Sequence, residues 1–595
     1  MTDYRDLLEQ ATPTQMEAIN RDENCVVKAG PGTGKTRTLI TKAAYLLYNK
    51  VFPPRGIACI TFSKDMAKKL SDELESLGLG SKRQVFIGTN HVFALVQIII
   101  PFGKLYGKRV PNKILVPTGK QQVELYQKVW NEATVKNNTY SLKDEDIKKE
   151  CLPSKFQHYR RTQLDGPASP RFDSTVDKLL VAYENLLIAN SFMDFDLQEK
   201  WAMEIVEQQP YVRSVIEAKF PWLMFDEYQD LGLPLHRIVK ALVEDLTQNI
   251  KLFAIGDPNQ CIYDFRGASP EHFEELCKKP DVYGKHIELA ESFRFNKNVL
   301  RAANAANPAL QLTVEHRENV PDGKVQLIKN QELKDVVDEV VKRRGMPVAE
   351  SLSEIIILSH SWDTCGKIAE YIETELGLPC FRAQKDIFEY NKPLIDWLGK
   401  LAVFAIEGKS TSAVRFNELT DFWNVLFQYR GVPESEIANH SNRQCLYDAL
   451  IESYAFVEDA WAWVEFISSR LGFDHFLETY LHRDDVEEFY KLYAALGNNG
   501  KLSGISLQQL LSLIHIGNRI YIGTIFSRKG QESKVTILAC AERLQWFEWN
   551  STIRKPPNPP QKRLFYVAIT RPQEELYISH DGNSDLAKEL FNKIA

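Results

Sequence analysis

The residues best suited to chemistry lie in a glycine-rich segment between an apolar run and a helical one. The segment reads Ala29-Gly-Pro-Gly-Thr-Gly-Lys-Thr36, and it follows residues 25–28 and precedes the helical pattern 37–47. Glycines let the backbone wrap phosphate groups with its N–H groups inward, and the following helix adds partial positive charge. Lys35 is predicted to reach the β- and γ-phosphates of a nucleotide, and Thr36 to hold Mg²⁺. The predicted nucleotide contacts here are Ala29, Gly30, Pro31, Gly32, Thr33, Gly34, Lys35, Thr36 and Arg37.

A pair of adjacent carboxylates follows a second apolar run. Residues 222–225 lead into Asp226-Glu-Tyr-Gln-Asp230. A strand that ends in adjacent carboxylates can bind a divalent cation and activate water. We expect Asp226 to hold Mg²⁺, directly or through water, and Glu227 to orient and deprotonate the attacking water. Together with the glycine-rich segment, this pair predicts a nucleotide-phosphate site with Mg²⁺ as the cofactor, which a kinase or a small GTPase would also need; ATP as the nucleotide follows from the resemblance given below.

The elements that must position these residues are short apolar runs bounded by polar turns. Runs of this kind, buried on both faces, are typical of parallel strands with helices between them. Longer stretches between the groups of runs have helical periodicity, aromatic residues and charge, which predicts helical insertions. The fold class is therefore α/β. The runs cover residues 25–27, 57–61, 222–225, 252–255, 355–358, 520–524, 535–539 and 575–579.

With these residues in place, the chain resembles the UvrD/Rep/PcrA group of superfamily 1 helicases. Similar motifs follow one another in the family's order from residue 11 to about 580. The longest, Ile255-Gly-Asp-Pro-Asn-Gln-Cys-Ile-Tyr-Asp-Phe-Arg-Gly-Ala268, resembles the family's GDxxQSIYxWRGA. The other similar segments are residues 12–15, 60–69, 88–93, 193–197, 291–295, 523–532 and 562–571.

The resemblance implies two RecA-like parallel-sheet domains with two mainly helical insertions. Domain 1 is expected at residues 1–95 and 196–284, with the first insertion at 96–195. Domain 2 is expected at residues 285–385 and 516–595, with the second insertion at 386–515. A family member of this design uses ATP hydrolysis to change the grip of the two domains on a strand.

The resemblance also implies roles around the nucleotide. Gln15 would read the adenine edge, although a helix cap at residue 12 or 14 explains the same segment. Gln260 would sense the γ-phosphate, while Arg294 and Arg571 would stabilise the charge that develops in phosphoryl transfer. Phe293 would stack on adenine, where the family has Tyr. Glu532 would hold the ribose.

A third implication concerns nucleic acid. Aromatic rings stack on any base, so they suit a strand that is held without sequence preference. This chain has Phe265 where the family has Trp, and Phe526 and Gln531 where it has His and Leu. The expected contacts with the strand are Phe62, Thr89, His91, Phe195, Tyr263, Phe265, Arg266 and Thr524.

Composition excludes several other classes of protein. The nine cysteines contain no CxxC pair, so a zinc ribbon or iron–sulfur cluster has no support. The sequence opens without a secretory signal and has no apolar stretch long enough to cross a bilayer, so a cytoplasmic protein with no membrane partner is expected. The net charge of −6 does not exclude nucleic acid, because affinity depends on a local basic groove.

The sequence thus predicts an ATP-dependent DNA helicase or translocase that moves 3′→5′ on single-stranded DNA and couples hydrolysis to unwinding. The direction comes from the resemblance alone. Expected partners are single-stranded DNA, junctions of single- and double-stranded DNA, and a nuclease or repair protein. Two alternatives remain open. One is a nucleotide-gated, DNA-binding regulatory subunit of a nuclease complex in repair or phage defence, and the other is a strand-clearing translocase with little unwinding.

Overall fold

The computed structural model divides into two compact units, each with its own parallel sheet. The first unit comprises Met1–Arg294 and Asn307–Asn319, and the second Phe295–Ala306 and Val320–Ala595. The structure describes residues 4–62, 64–79, 85–117, 119–136, 160, 174–245, 247, 249–307, 309–344, 352–382, 392–407, 414, 416–429, 440–473, 477, 483–514, 519–541, 559–582 and 584–594.

The first unit is built on a sheet of six described strands in the order β3-β2-β4-β5-β1-β6, and every pair is parallel. The central strands are apolar and fully buried, as expected for a sheet covered on both faces. The strands are β1 Cys25–Ala29, β2 Ile57–Thr61, β3 Val85–Thr89, β4 Trp222–Phe225, β5 Lys251–Gly256 and β6 Ile287–Leu289.

Helices surround this sheet, and their limits follow local rules. Thr12 caps the second helix and Pro13 occupies its first position, where the missing N–H costs nothing. The described helices of this unit are α1 Tyr4–Glu9, α2 Pro13–Asn20, α3 Lys35–Asn49, α4 Lys64–Ser76, α5 Asn90–Phe93, α6 Ile100–Phe102, α7 Gly119–Lys136, α8 Ser174–Ala189, α9 Phe195–Gln208, α10 Pro210–Lys219, α11 Leu233–Val243, α12 Pro270–Lys278 and α13 Pro280–Tyr283, with π-helical Ala94–Ile99 between α5 and α6.

The second unit repeats the plan. Its six described strands lie in the order β7-β12-β11-β8-β10-β9 and are again all parallel. The strands are β7 Lys324–Lys329, β8 Ile355–Ser359, β9 Cys380–Arg382, β10 Ile520–Thr524, β11 Ser533–Leu538 and β12 Pro572–His580. Its helices outside the 386–515 stretch are α14 Lys297–Ala306, α15 Leu333–Arg343, α16 Trp362–Leu376, α23 Pro559–Ile569 and α24 Asp585–Ile594. The predicted α/β class with two parallel-sheet domains is confirmed.

The described part of residues 386–515 is helical and has its own apolar core. Trp397 and Trp423 stack there at 5.9 Å, and Trp463 is fully buried, so these rings pack helices together. The helices are α17 Pro393–Glu407, α18 Phe416–Tyr429, α19 His440–Ser453, α20 Ala460–Leu471, α21 Arg483–Leu496 and α22 Leu507–Ile514.

The structure differs from the expected domain limits in two places. The first sheet continues past residue 284, because β6 pairs with β1 through Val27 and Ile287. The described residues of the 96–195 stretch share one core with the sheet, where Ile98 and Leu187 cluster with Ile60. Both differences depend on contacts between residues that are far apart in the sequence, and local patterns of hydrophobicity do not detect such contacts. None of the helices in the described ranges is both long enough and apolar enough to cross a membrane.

Candidate nucleotide and nucleic-acid site

The candidate site of the first unit lies at the carboxyl ends of its strands. Register aligns these ends, with Thr61 opposite Thr89 and Phe225 opposite Ala254. The glycine-rich loop, the acidic pair and Phe62 begin directly after such ends. Open α/β sheets bind ligands at this edge.

The glycine-rich loop has the backbone conformation that its glycines predict. Gly32 and Gly34 have φ values of 75° and 78°, in the left-handed region that favours glycine. A Cβ at Gly32 would lie 2.5 Å from Cβ of Arg294, so a side chain there has no room. Gly34 precedes the first residue of α3. The loop therefore runs from β1 into a helix N-terminus, as an anion site requires.

Lys35 is held across this loop. Its Nζ donates to the carbonyl oxygens of Ala29 at 3.2 Å and Gly30 at 3.3 Å. The Thr33 hydroxyl also donates to the Gly30 oxygen, at 2.8 Å. Thr36 follows on α3 and is partly exposed, and Arg37 is exposed. The ammonium group is thus placed over the loop, where it contacts two of the loop's carbonyl oxygens.

Gln15 fulfils the capping alternative and also contacts the loop. Its N–H donates to the Thr12 hydroxyl at 3.3 Å, and its Oε1 accepts from the Thr12 N–H at 3.0 Å. This reciprocal pair is a capping box at the start of α2. The Gln15 Nε2 donates to the Thr33 oxygen at 2.9 Å. The amide therefore sits beside the loop, where a nucleotide base could replace a protein partner.

The acidic pair follows β4 in a constrained turn. Asp226 is buried, and its Oδ1 accepts from the N–H of Glu227 at 3.0 Å. Burial and, to a smaller extent, the neighbouring Glu227 raise the pKa of the Asp226 carboxyl to about 7, and Lys35 opposes this change. Glu227 has a φ of 51°, which is unusual for a residue with a side chain and is found at functional sites. The two carboxylates and the loop lysine thus form one electrostatic cluster.

Two residues to which the sequence analysis gave no role complete this cluster. Gln229 is fully buried, donates from Nε2 to Oε2 of Glu227 at 2.6 Å, and accepts on Oε1 from the N–H of Asp257 at 3.0 Å. Asp257 in turn accepts on Oδ2 from Nε2 of Gln260 at 2.8 Å. Burial raises the pKa of the Asp257 carboxyl, while Lys35 opposes the rise. The signal available in the sequence was that both residues are polar and lie inside segments already singled out, Gln229 in 226–230 and Asp257 in 255–268.

Phe293 and Arg294 lie against the loop. The N–H of Phe293 donates to the Gly32 oxygen at 2.8 Å, and the hydroxyl of the fully buried Ser292 donates to the Pro31 oxygen at 3.2 Å. The Phe293 ring is 45% exposed, as a base-stacking ring must be. The expected limits put Arg294 in domain 2. In the structure it is the last residue of the Met1–Arg294 segment of the first unit, because β6 pairs with β1 and the chain then passes the glycine-rich loop. Ser292 is a further residue that the sequence analysis missed.

An exposed aromatic cluster stands at the other end of the Gln260–Arg266 segment. The rings of Phe62 and Tyr263 stack at 4.8 Å with an interplanar angle of 18°. Phe265 meets Tyr263 at 6.1 Å and is 62% exposed. The Arg266 guanidinium lies 5.5 Å from the Tyr263 ring centre and 5.6 Å from that of Phe265. Such a cluster offers π faces and positive charge, which together suit a single strand.

A second aromatic pair lies near the end of β3. His91 and Phe195 have ring centres 4.2 Å apart, and Phe195 is 49% exposed. The His91 Nε2 lies 3.1 Å from Oε1 of Glu199, which also accepts from Nδ2 of Asn90. Thr89 ends β3 and is largely buried. The structure thus joins His91 and Phe195, which are far apart in sequence.

Three predicted residues belong to the second unit. Thr524 ends β10 and is buried, and Glu532 is exposed just before β11. Arg571 is almost fully buried, with Nε donating to the Val567 oxygen at 2.8 Å and Nη1 to the Gln531 oxygen at 3.1 Å. Its guanidinium is therefore engaged with main-chain carbonyls in this conformation.

The donor set fits ATP and Mg²⁺. The loop presents N–H groups and an ammonium to phosphates, and a divalent cation would offset the charge of the buried Asp226 carboxylate. Thr36 and Asp226 are the residues that would hold the ion. Among the described residues, no group of three or more His, Cys, Asp or Glu side chains could hold a metal.

Comparison with known proteins agrees with this geometry. Residues 11–281 match the family model for the UvrD/REP helicase N-terminal domain, and residues 440–582 match that for the UvrD-like helicase C-terminal domain. The ATP-dependent DNA helicase PcrA of Staphylococcus aureus strain Mu50 is 24% identical, over 96% of this chain and 83% of the relative. PcrA of Staphylococcus epidermidis strain ATCC 35984 is also 24% identical, over 96% and 84% respectively.

Proposed function

Because the chain belongs to the UvrD-like helicase family, we propose that it travels 3′→5′ along single-stranded DNA and separates the strands of a duplex. It is an ATP-hydrolysing DNA helicase, since the two family models together match well over half of the chain and its matched relatives are helicases. Direction, unwinding and the role of each site residue are the parts that we propose.

The proposed hydrolysis assigns a task to each residue of the first unit. Lys35 leaves two loop carbonyls and donates to phosphate oxygens. Glu227 takes a proton from the attacking water, and its position is fixed by the turn after β4. When bound by Asp226 and Thr36, Mg²⁺ would neutralise phosphate charge. Arg294, whose Cβ packs against Gly32, supplies a guanidinium for the charge that develops on the oxygens.

The remaining nucleotide contacts are proposed as follows. Gln15 exchanges one of its protein partners for the adenine edge, and Phe293 stacks on the base. Arg571 acts as a second guanidinium once it leaves the carbonyls of Val567 and Gln531. Glu532 holds the ribose. Each proposal rests on the resemblance.

One observation carries the motor proposal. The segment from Gln260 to Arg266 begins where Gln260 donates to Asp257, which is joined to the acidic pair through Gln229. It ends six residues later in the aromatic cluster, where Tyr263 stacks on Phe62. A change at the phosphate end of so short a segment moves the strand-binding end directly. This geometry supports coupling of hydrolysis to grip on the strand.

The strand contacts are proposed for both aromatic sites of the first unit. Phe265 and Phe195 expose about half or more of their surface, so bases can stack on them. Each base that stacks on an aromatic ring is worth about 1–3 kcal/mol without sequence preference. His91, Thr89 and Thr524 are expected to contact the backbone of the strand. Binding of this type tolerates any sequence, as a translocating enzyme requires.

The test compares ATP hydrolysis with and without single-stranded DNA, followed by strand separation on duplexes with a 3′ or a 5′ tail. We expect hydrolysis to rise with single strands and separation to require the 3′ tail. The Lys35→Ala variant is the control for contaminating activity. Hydrolysis that ignores single strands would refute the motor. Equal separation from both tails would contradict the direction.

A further experiment separates unwinding from strand clearing. A 3′-tailed duplex and a single strand blocked by a bound protein are offered in parallel. The proposed function predicts that the duplex is opened. Removal of the block with an intact duplex would favour the strand-clearing alternative. A nuclease or repair partner remains a prediction, which copurification from the native cell would test.

A further inference from the structure

Gln229 is a fully buried glutamine that joins two parts of the candidate site. Its side-chain Nε2 donates to Oε2 of Glu227 at 2.6 Å, and its Oε1 accepts from the main-chain N–H of Asp257 at 3.0 Å. Glu227 is the proposed base, and Asp257 opens the segment that carries Gln260 and the strand-contacting aromatics. The Gln229 side chain therefore contacts the proposed catalytic base, Glu227, on one side, and on the other side Asp257, where the proposed strand-binding segment begins.

The orientation of this amide is determined by its partners. The N–H of Asp257 is a donor, so it must face the carbonyl oxygen of the Gln229 side chain. The NH₂ group then faces Glu227, whose carboxylate is an acceptor. A reversed amide would place a donor against a donor and an oxygen against a carboxylate. Only one orientation satisfies both partners.

The packing around the amide leaves it little freedom. A Cβ built at Gly256 would lie 2.4 Å from Oε1 of Gln229, so the last residue of β5 must be glycine for the amide to lie there. Glu227 is itself in the left-handed region with a φ of 51°. A movement of Asp257 therefore shifts the amide and, through Nε2, the Glu227 carboxylate.

The chain of contacts continues to the strand. Asp257 Oδ1 accepts from the N–H of Asn259 at 3.0 Å, and Oδ2 accepts from Gln260 at 2.8 Å. Three residues beyond Gln260, the Tyr263 ring stacks on Phe62. The links are hydrogen bonds as far as Gln260, three residues of main chain from there to Tyr263, and a ring contact from Tyr263 to Phe62. The positions of Glu227 and Tyr263 are thus physically linked through Gln229.

We propose that Gln229 is a positioning residue through which single-stranded DNA on the Tyr263 cluster sets the orientation of the Glu227 carboxylate. This inference rests on the proposed function, because it explains how a strand accelerates hydrolysis. Gln229 contacts neither water nor strand in this role. It transmits the position of the Asp257–Arg266 segment to the group that activates water.

The test uses two variants. Gln229→Glu keeps the size and the oxygen that accepts from Asp257, and places a carboxylate against Glu227. Gln229→Met keeps the approximate volume and removes both hydrogen bonds. We expect kcat at saturating single-stranded DNA to fall by about 10- to 100-fold, the scale of a misplaced catalytic group. The KM for ATP and the affinity for single strands should stay within about threefold of wild type, and the ratio of the DNA-stimulated rate to the DNA-free rate should fall.

The control is Tyr283→Phe, which removes another buried hydrogen bond of the first unit. The Tyr283 hydroxyl donates to Oε1 of Glu244 at 2.8 Å, away from the acidic pair in sequence and on other elements. Tyr283→Phe should keep the stimulation by DNA even if its melting temperature falls. A purely structural Gln229 would behave in the same way, with stimulation intact.

A double variant makes the link itself measurable. Tyr263→Ala should reduce stimulation in the wild-type background and have little further effect in the Gln229→Glu background. Independent effects that multiply would overturn the inference, as would wild-type stimulation in both single variants. If the wild-type enzyme shows no stimulation at all, the proposed function fails first. The two failures are therefore distinguishable.

Discussion

Lys42 offers a quantitative test of how a buried charge is held in the first unit. It lies on α3 with no exposed surface, and its Nζ donates to the main-chain oxygens of Ile19, at 2.8 Å, and of Arg21. The ammonium also lies 4.7 Å from the centre of the Trp222 ring. Burial lowers the pKa of Lys42 from 10.5 to about 8, and the nearby Cys25 and Asp22 oppose that shift.

The size and sign of the effect follow from this difference in pKa. Below pH 8 Lys42 is charged in both states, and the folded state carries a cost of about 3 kcal/mol. Between about pH 8 and pH 10.5 the unfolded chain binds more protons, so the free energy of unfolding rises with pH. From about pH 7.5 to about pH 9.5 this group alone contributes a gain of about 2 kcal/mol.

The assay is chemical denaturation of wild type and Lys42→Met at both pH values. At about pH 7.5 Met removes a buried charge, and at both pH values it leaves the carbonyls of Ile19 and Arg21 without a donor, so a single pH is not diagnostic. The difference between wild type and variant should shift by about 2 kcal/mol in favour of wild type at the higher pH. The exposed Lys278→Met variant is the matched control. A shift equal to that of the control would refute the reasoning.

Three further predictions concern the site. Lys35→Ala should remove DNA-stimulated hydrolysis, and turnover above background in a steady-state assay would count against the loop. Tyr263→Ala should weaken binding of single strands by about 1–3 kcal/mol with little base preference, as anisotropy with several sequences would measure. Arg571→Ala should keep ATP binding but slow hydrolysis by about 10³-fold or more, while an equal loss of nucleotide affinity would contradict its role as an arginine finger.

The sequence predicted the interior of both sheets better than their edges. All eight apolar runs coincide with strands, among them residues 57–61 in β2 and 355–358 in β8. The four described strands without such a run are β3, β6, β7 and β9, which are the edge strands of the two sheets. An edge strand is short or partly exposed, so its apolar signal is weak. Local hydrophobicity therefore detects strands in proportion to their burial.

The candidate site shows the same difference between residues with a local sequence signal and residues defined by tertiary contacts. Lys35 and Asp226 were predictable because each follows a recognisable strand in a segment of characteristic composition. Gln229 and Ser292 were not, because their importance lies in hydrogen bonds to residues distant in sequence or on another motif. The pairing of β6 with β1 was likewise not predictable, since it joins strands that are far apart in the sequence.

The groups proposed to bind phosphate already have protein partners. Lys35 donates to two carbonyls of its own loop, and Gln260 donates to Asp257. Arg571 likewise donates to main-chain oxygens of its own unit. In the proposed function, nucleotide binding exchanges these hydrogen bonds instead of adding them, so each contact adds little net affinity. A motor must release its nucleotide in every cycle, and donors that return to protein partners favour that release.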